Sequence, residues 1–382
     1  MDFTISPLNK MIIKAAKDFS ERKIPAIDAY MAEHNDYPPD LMQTYAKNRM
    51  LGFNVPKEYG GIGTSNFNMI LYIEELGKTA STSFLPFMMN NSVAESICHW
   101  GSEEVKQKFV RPLCDGSAWA TMAFTEPDTG SDPKMLTTTA RPDGDDFIIN
   151  GTKRFISMAN KPGYGVFICK DLSLTSKNNT TAFIIDKQSP GISCSKHYEL
   201  TGLEGADTCD ITFTDVRVPK GNILGKPGEG FNILLRWIAG ERIQQAAGMV
   251  GVGQRAFEEA KKYSLQRNVN GMPMGYMQGF YWMLGEMKIK VDACRLMTYQ
   301  AVCKQDAGKS FEVDSAEVKV FTTPLIQEVT RMAVQFHGSY GYSKEYIVEK
   351  LFRLAMHQGV VASSLEINKT IIGMTALMSR SK

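Results

Sequence analysis

A carboxylate with no cation in reach on its own helix is well suited to moving a proton. Glu241 sits in LLRWIAGERIQQAAGMVG, and its helical neighbours three and four positions away are Trp237, Ile238, Gln244 and Gln245. None of them offers a positive charge that would tie it into an ordinary helix ion pair. Held in a largely apolar pocket, such a carboxyl has its pKa raised towards neutrality, which suits reversible proton transfer. Gly240, Ala246, Ala247 and Gly248 around it let a ligand or another backbone approach the helix closely. A second concentration of reactive groups is MAFTEPDTGSD at 122–132, where hydroxyls and carboxylates gather around a proline and a glycine. Turns of this composition are common, and alone it specifies nothing.

Other chemistries find no support. The five histidines (34, 99, 197, 337, 357) lack metal-ligand spacing, and the seven cysteines (98, 114, 169, 194, 209, 294, 303) are scattered and never spaced as CxxC. Neither a zinc cluster nor a disulfide framework is expected, and buried reduced thiols fit better. No metal is expected at all.

Three segments of different texture must hold these residues. Residues 1–118 read as an N-terminal helical domain. Leu8, Ile12, Ala15, Phe19 and Ile24 form one helix face, Ser6-Pro7 starts that helix, Pro38-Pro39 starts another segment, and PKEYGGIG at 56–63 separates helices. Residues 119–227 read as strands. DFIINGTKRFIS is expected to form two short strands around Asn150-Gly151, the favoured type I′ hairpin dipeptide, and GVFICK, TAFIID, GISCS and TCDITFTDVRVP continue the series. Residues 228–382 return to helix, with long segments near 229–268, 277–306, 313–341 and 346–380. Asp314-Ser315 is the expected cap of the third, and the glycines after His337 its stop. No linker or repeat separates the three units, so one body is expected.

Bulk properties narrow the partners. The 382 residues are 43% hydrophobic and 22% charged with a net charge of +2, which fits a globular protein and predicts no attraction to nucleic acid or acidic membrane. No apolar run approaches the ~20 residues that span a bilayer, and the N-terminus lacks a signal-peptide core. A cytoplasmic location is expected.

Taken in order, the motifs say more than each does alone. TEPxxGSD stands at the first helix–strand junction and ING-x-K about twenty residues later. ITFxDVxVP closes the strand region and GxGF opens a helix. QRxxxG followed by Gln278, then QxxG and EYxVEKLxR, complete the chain. In this order and over essentially the whole length, the sequence resembles the acyl-CoA dehydrogenase family.

The resemblance implies an α+β multidomain fold. It consists of an N-terminal helical domain, a central β-barrel and a C-terminal four-helix bundle, in a homotetramer that binds FAD at a subunit interface. It also implies oxidation of an acyl-CoA, or the reverse reduction, with electron-transfer flavoprotein as redox partner. Carried over by position, Met122, Ala123, Phe124 and Thr125 line the flavin ring. Ser157 places a hydroxyl beside flavin N5, and Phe155 packs on the ring where tryptophan is commoner. Ser131 lies between the flavin pyrophosphate and the CoA arm. Arg267 reaches a neighbouring subunit's FAD pyrophosphate, for which a guanidinium fork is suited. Gln278, Gln335 and Gly338 surround the same dinucleotide, with Asn270 and Ser339 standing where the family pattern has Phe and Gly. Ser364 and Glu366 complete the cofactor set.

The main departure is at the proton-transfer position. Aligned from Arg353, Ala362 falls on the usual glutamate, Ser363 on the glycine and Ser364 on the threonine. A methyl group cannot accept a proton. A minority of the family, including branched-chain acyl-CoA dehydrogenases and the crotonobetainyl-CoA reductase type, places a glutamate before an arginine on the first helix of the C-terminal domain. Here that pair is Glu241-Arg242. The resemblance therefore implies Glu241 as base and Arg242 and Ala362 on the substrate side. His357, Met88, Met89 and Met158 are further candidates to face the acyl group. A non-redox acyl-CoA lyase such as a desulfinase, and a non-catalytic flavin-binding homologue, stay open as alternatives.

Overall fold

In the computed structural model of the chain, residues 5–132, 135–176 and 179–378 are described. Six helices come first: α1 (Pro7–Arg22), α2 (Ile24–His34), α3 (Leu41–Lys47), α4 (Asn66–Gly77), α5 (Phe84–Trp100) and α6 (Glu103–Asp115). Local chemistry sets their ends. Ser6 caps α1 by accepting from the Asn9 amide in a reciprocal capping box, and Ser65 and Ser102 accept from Asn68 and Val105 at the starts of α4 and α6.

Eight strands follow: β1 (Trp119–Ala123), β2 (Thr139–Asp143), β3 (Asp146–Ser157), β4 (Gly163–Asp171), β5 (Thr180–Asp186), β6 (Ile192–Cys194), β7 (Thr208–Pro219) and β8 (Ile223–Leu224). They form one sheet in the order β6-β7-β3-β2-β4-β5-β8, with β1 added parallel to β4. The path ends at β6 and β8, and among the described residues no pairing closes it into the barrel expected from the sequence.

The hairpin expected at Asn150-Gly151 is not there. β3 runs straight through both residues, and the pairing with β7 skips a step between Ile149 and Gly151. The irregularity is a β-bulge whose extra residue is on β7, where Thr214 and Asp215 (φ 51) stand opposite Asn150. Gly151 has φ 140, and a Cβ on it would lie 2.6 Å from the Thr138 Cα, so glycine is required by close backbone approach rather than by a turn. The hairpin turn is at Gly144-Asp145, between β2 and β3.

Two-residue periodicity lets this sheet bury both faces. On β4, Val166 and Ile168 pack towards α5, α6 and the following long helix, while Phe167 and Cys169 face Phe147, Phe183 and Phe213. On β5, Ala182 and Ile184 take the first side and Phe183 and Ile185 the second.

The C-terminal region holds α7 (Gly230–Gln266), α8 (Gln278–Asp306), α9 (Glu312–His337), α10 (Ile347–His357) and α11 (Leu365–Met378), with a small hairpin of β9 (Asn268–Val269) and β10 (Met272–Pro273) between α7 and α8. The single segment expected at 346–380 is thus two helices. They are broken where Ala362 (φ 50) and Ser363 (φ 74) adopt left-handed backbone, and the expected four-helix bundle contains five described helices. α9 starts at Glu312 rather than at an Asp314 cap, and Asp314 is instead ion-paired with Lys304. Gly338 (φ 58) ends α9 as expected.

One apolar cluster runs from α1 through α5 into α7–α10, so the N- and C-terminal helices share a core. α7, with 37 residues, is the common member, and α4 lies directly against it. A Cβ on Gly251 would stand 2.0 Å from the Glu74 carbonyl oxygen, and one on Gly77 2.2 Å from the Gly248 oxygen. None of the described helices is long and apolar enough to cross a membrane. Gly251→Ala should push α4 and α7 apart and lower stability by about 1–3 kcal/mol, seen as a drop of several degrees in Tm.

Candidate active site

Glu241 opens onto a small cavity of about 60 Å³ where α5, α7, the end of β3 and the α10–α11 loop meet. Trp237, Glu241, Gln244 and Gln245 present one face of α7 to it. Leu85, Met88, Met89 and Ser92 come from α5, Ser157 and Met158 from β3 and its edge, and His357 and Val361 from the C-terminal side. The structure thus brings together Glu241 and Ser157, which lie 84 positions apart in the chain, with the expected tail contacts Met88, Met89, Met158 and His357.

The cavity carries an unusual charge arrangement. Burial pushes the Glu241 carboxyl up to about 7, against the opposing influence of the Lys319 ammonium, a hydrogen bond with Gln245 and the Arg242 guanidinium. Lys319 is fully buried and donates to the carbonyl oxygens of Gln358 and Val361, both at 2.5 Å. Burial pushes its ammonium down to about 7, while Glu241 favours the charged form. Arg242 donates to the Ala362 carbonyl at 3.4 Å and to Ser363 Oγ at 3.0 Å, and burial brings it down to about 10. Burial, with Lys319 adding to it, lowers His357 to about 3, so its ring is neutral at physiological pH. Two cations therefore clamp the loop bearing Ala362 and face the carboxylate at the same time.

The end of β3 that enters the cavity is tied to the 124–126 turn, where the Arg154 amide donates to the Thr125 carbonyl at 2.8 Å. Phe155 has φ 55, which is rare for an aromatic residue and marks a position that the surroundings enforce. Its ring is 53% exposed and rests on Tyr198 at 4.5 Å between centroids. Tyr198 donates to Asp210 at 3.0 Å, and Arg154 grips the same carboxylate from Nε at 3.1 Å and from an amino nitrogen at 3.0 Å. An aromatic face is thereby held towards solvent by a fixed support. Phe124 and Thr125 are half-buried beside the apolar cluster under the sheet, whereas Met122 is buried within it and offers only its backbone.

Beneath the turn lies Glu126. It is buried and pairs with fully buried Lys153 at 2.8 Å, and it accepts from the amides of Thr137 (2.5 Å) and Thr138 (2.9 Å) and from the Thr137 hydroxyl (2.6 Å). Lys153 also donates to the carbonyls of Phe124 (3.1 Å) and Ile168 (2.6 Å). Burial works to raise the Glu126 pKa, but Lys153 and the threonine donors overcome it and hold the carboxyl at about 2. Sequence reasoning passed over both residues, although TEP and ING-x-K each contain one. Lys319 was also missed. Its signal was a lysine in step with Ala316, Thr323 and Ile326 on the buried face of α9.

The remaining expected residues lie elsewhere. Ser131 is exposed on the turn. Arg267, Gln278, Gln335 and Gly338 are exposed at one end of the C-terminal bundle, where Tyr263 stacks on His337 and Phe280 packs on Phe336. Among the described residues the Arg267 side chain has no ion-pair partner, so its guanidinium is free to meet an anion. Ser364 Oγ accepts from the Ile367 amide at the start of α11, and Glu366 is exposed.

Comparison with known proteins agrees with this geometry. The sequence matches the acyl-CoA dehydrogenase N-terminal domain over residues 6–117, the middle domain over 121–216 and the C-terminal domain over 228–377. It is 32% identical to the short-chain specific acyl-CoA dehydrogenase of Clostridium acetobutylicum, across 97% of this chain and 98% of that one. It is 33% identical to the caffeyl-CoA reductase-Etf complex subunit CarC of Acetobacterium woodii, across 91% and 92%. The solved structure of butyryl-CoA dehydrogenase from Megasphaera elsdenii superposes with a TM-score of 0.94 at 30% identity, covering 99% of this chain and all of that one.

The buried pair under the turn has a measurable signature. Lys153→Met strands the Glu126 carboxylate and should cost about 3–5 kcal/mol. Because the Glu126 pKa is depressed, its contribution is complete above the usual 4.5 and is lost as pH falls towards about 2. Chemical denaturation should therefore show the wild type losing stability over that window, and Glu126→Gln should start less stable and lose less there.

Proposed function

Because the chain belongs to the acyl-CoA dehydrogenase family, we propose that it is an FAD-dependent oxidoreductase that forms or reduces the α,β double bond of an acyl-CoA thioester, with Glu241 as its base. The observation carrying this reading is that Glu241 and Ser157 line one cavity, with the exposed Phe155 ring two residues before Ser157 on β3. FAD is the expected hydride acceptor or donor. The site suits an isoalloxazine ring: an exposed, strained aromatic face backed by Tyr198, with the partly accessible hydroxyls of Thr125 and Ser157 and the Phe124 ring at its rim. Arg267, Gln278, Gln335 and Gly338 would hold the phosphate and adenosine end contributed to a neighbouring subunit, with Ser131 on the CoA side and Ser364 and Glu366 close to the cofactor.

The residues of the chain divide the remaining work. Glu241 takes the α-proton, or returns it in the reducing direction, and a pKa of about 7 lets it do either near neutral pH. Arg242 and Lys319 stabilise its ionised form and fix the loop around Ala362. The methyl of Ala362 leaves open the space that a glutamate would fill there, so acid–base work passes to α7. Leu85, Met88 and Trp237 exclude water from the acyl group.

Electron-transfer flavoprotein is the proposed redox partner, a reading supported by the Etf-complex name of one relative. A homotetramer is the proposed assembly. The outer face of α8 exposes Trp282, Ile289 and Leu296 at seven-residue spacing, an apolar stripe of the kind that a second helix covers. The proposed domain limits stay at 118/119 and 227/228, beside the ends of the matched segments.

Glu241→Gln should bind FAD normally and reduce flavin bleaching by a good acyl-CoA about 10²–10⁴-fold; wild-type bleaching would remove Glu241 from the mechanism. The same variant tests the pKa without catalysis. The Glu241 carboxyl is raised from the usual 4.5 to about 7, so the wild type loses stability as pH rises through that interval while the glutamine form does not. The Tm difference should grow in favour of Glu241→Gln from pH 4.5 to 7 and then level off. Lys319→Met should move the acid limb of kcat/KM to higher pH by removing a charge that favours ionised Glu241; lower activity with an unmoved limb would confine Lys319 to holding the loop.

A further inference from the structure

The cavity wall is more polar than an alkyl chain requires. Gln244 and Gln245 are each only 3% exposed, both line the cavity, and the Oε1 atom of each is buried with no hydrogen-bond partner. His357, also on the wall, has a buried Nδ1 without a partner. Leaving such groups unpaired forfeits their hydration with nothing in return, and leucine or methionine would occupy the same positions on α7 without that cost. Buried polar groups are normally satisfied, so unpaired ones converging on a cavity next to a base indicate that the ligand supplies the partners.

The surrounding charges restrict what the ligand group can be. Lys319 and Arg242 disfavour an ammonium group at this place, and ionised Glu241 disfavours a carboxylate. The wall offers the two glutamine carbonyl oxygens and an imidazole nitrogen, with the Gln244 amide N–H group beside them while that of Gln245 is taken by Glu241, so the matching group is neutral and both donates and accepts. Resting on the acyl-CoA reading above, we propose that the natural acyl group carries a neutral hydrogen-bonding substituent, a hydroxyl, beyond the β-carbon, and that Gln244 is the residue that selects it.

The test compares 4-hydroxybutyryl-CoA with butyryl-CoA on the FAD-loaded enzyme, measuring Kd by anaerobic calorimetry so that the readout does not depend on turnover. The wild type should bind the hydroxy thioester at least ~10-fold more tightly. Gln244→Met keeps side-chain length and removes both polar atoms. It should lose that preference while holding butyryl-CoA as well as or better than the wild type, with Tm unchanged or raised. Equal or weaker binding of the hydroxy thioester by the wild type, or a preference that survives in Gln244→Met, overturns the inference and assigns the unpaired amides to bound water. Flavin bleaching recorded in the same samples separates the two claims. A preserved hydroxyl preference without bleaching by either thioester would count against the redox reading and not against the polar acyl pocket.

Discussion

A carboxylate and an ammonium buried together under the sheet hold the rest of the site in register. Glu126 and Lys153 come from a turn and a strand 27 positions apart in the chain, and neither reaches solvent. Desolvating two charges is expensive, and the cost is recovered only where every remaining donor and acceptor is matched. Lys153 meets that condition with the Phe124 and Ile168 carbonyls, and Glu126 does so with Thr137 and Thr138. The pair thereby ties four pieces of chain to one point: the 124–126 turn, β3, β4 and the approach to β2. Few alternative packings satisfy both charges, so the turn has essentially one place to lie. Two residues beyond Lys153 on β3, Phe155 is forced into left-handed backbone with its ring outward, a strain that only a rigid frame sustains.

A second constraint comes from α7. Small residues let it lie against α4 at backbone contact, so the helix cannot slide or roll without collision. Glu241 therefore sits on one of the least deformable elements of the molecule. The position where the resemblance implies a glutamate is the loop between α10 and α11, and that loop is held by cations: Lys319 through two carbonyls, Arg242 through a carbonyl and a hydroxyl. The same two charges balance the relocated carboxylate. A base on a packed helix loses some freedom to follow the substrate, and it gains a fixed electrostatic setting that does not change when the loop moves.

Much of the layout was legible in the sequence because it is written in local chemistry. Helix starts at Ser6 and the stop at Gly338 follow from capping, and the change from helical to alternating periodicity near residue 119 follows from burial on one face or two. Glu241 and Ser157, implied by the family resemblance, and His357, Met88, Met89 and Met158, named as candidates to face the acyl group, line one cavity. What failed had a common physical cause. Asn150-Gly151 has the local preference of a hairpin turn, but the close approach of Thr138 demands the glycine in mid-strand, and tertiary packing overrode the turn. The break between α10 and α11 has no proline and no glycine at its sharpest residues. It is imposed by Lys319 and Arg242, which lie 43 and 120 positions before Ala362. Partners that distant in the chain leave no local pattern, which is also why nothing in the sequence singles out Glu126, Lys153 and Lys319.

The direction of the chemistry follows from none of these contacts alone. A carboxyl balanced near neutrality gives up and takes a proton with similar ease, and a flavin held beside Phe155 and Ser157, as proposed, would present the same face to a saturated or an unsaturated chain. Relatives named as dehydrogenases and as a reductase fit that symmetry. The fold supplies a reversible site, and the redox partner and substrate couple set the sign. Selectivity among acyl groups is where this chain commits itself. Gln244 and Gln245 stand one turn beyond Glu241 on the same rigid helix, so the distance from the proton-transfer carbon to the polar end of the pocket is fixed by helix geometry, about 5.4 Å per turn. On the proposed reading that spacing would reach past the β-carbon of the acyl chain, so the helix that positions the base would also measure the substrate.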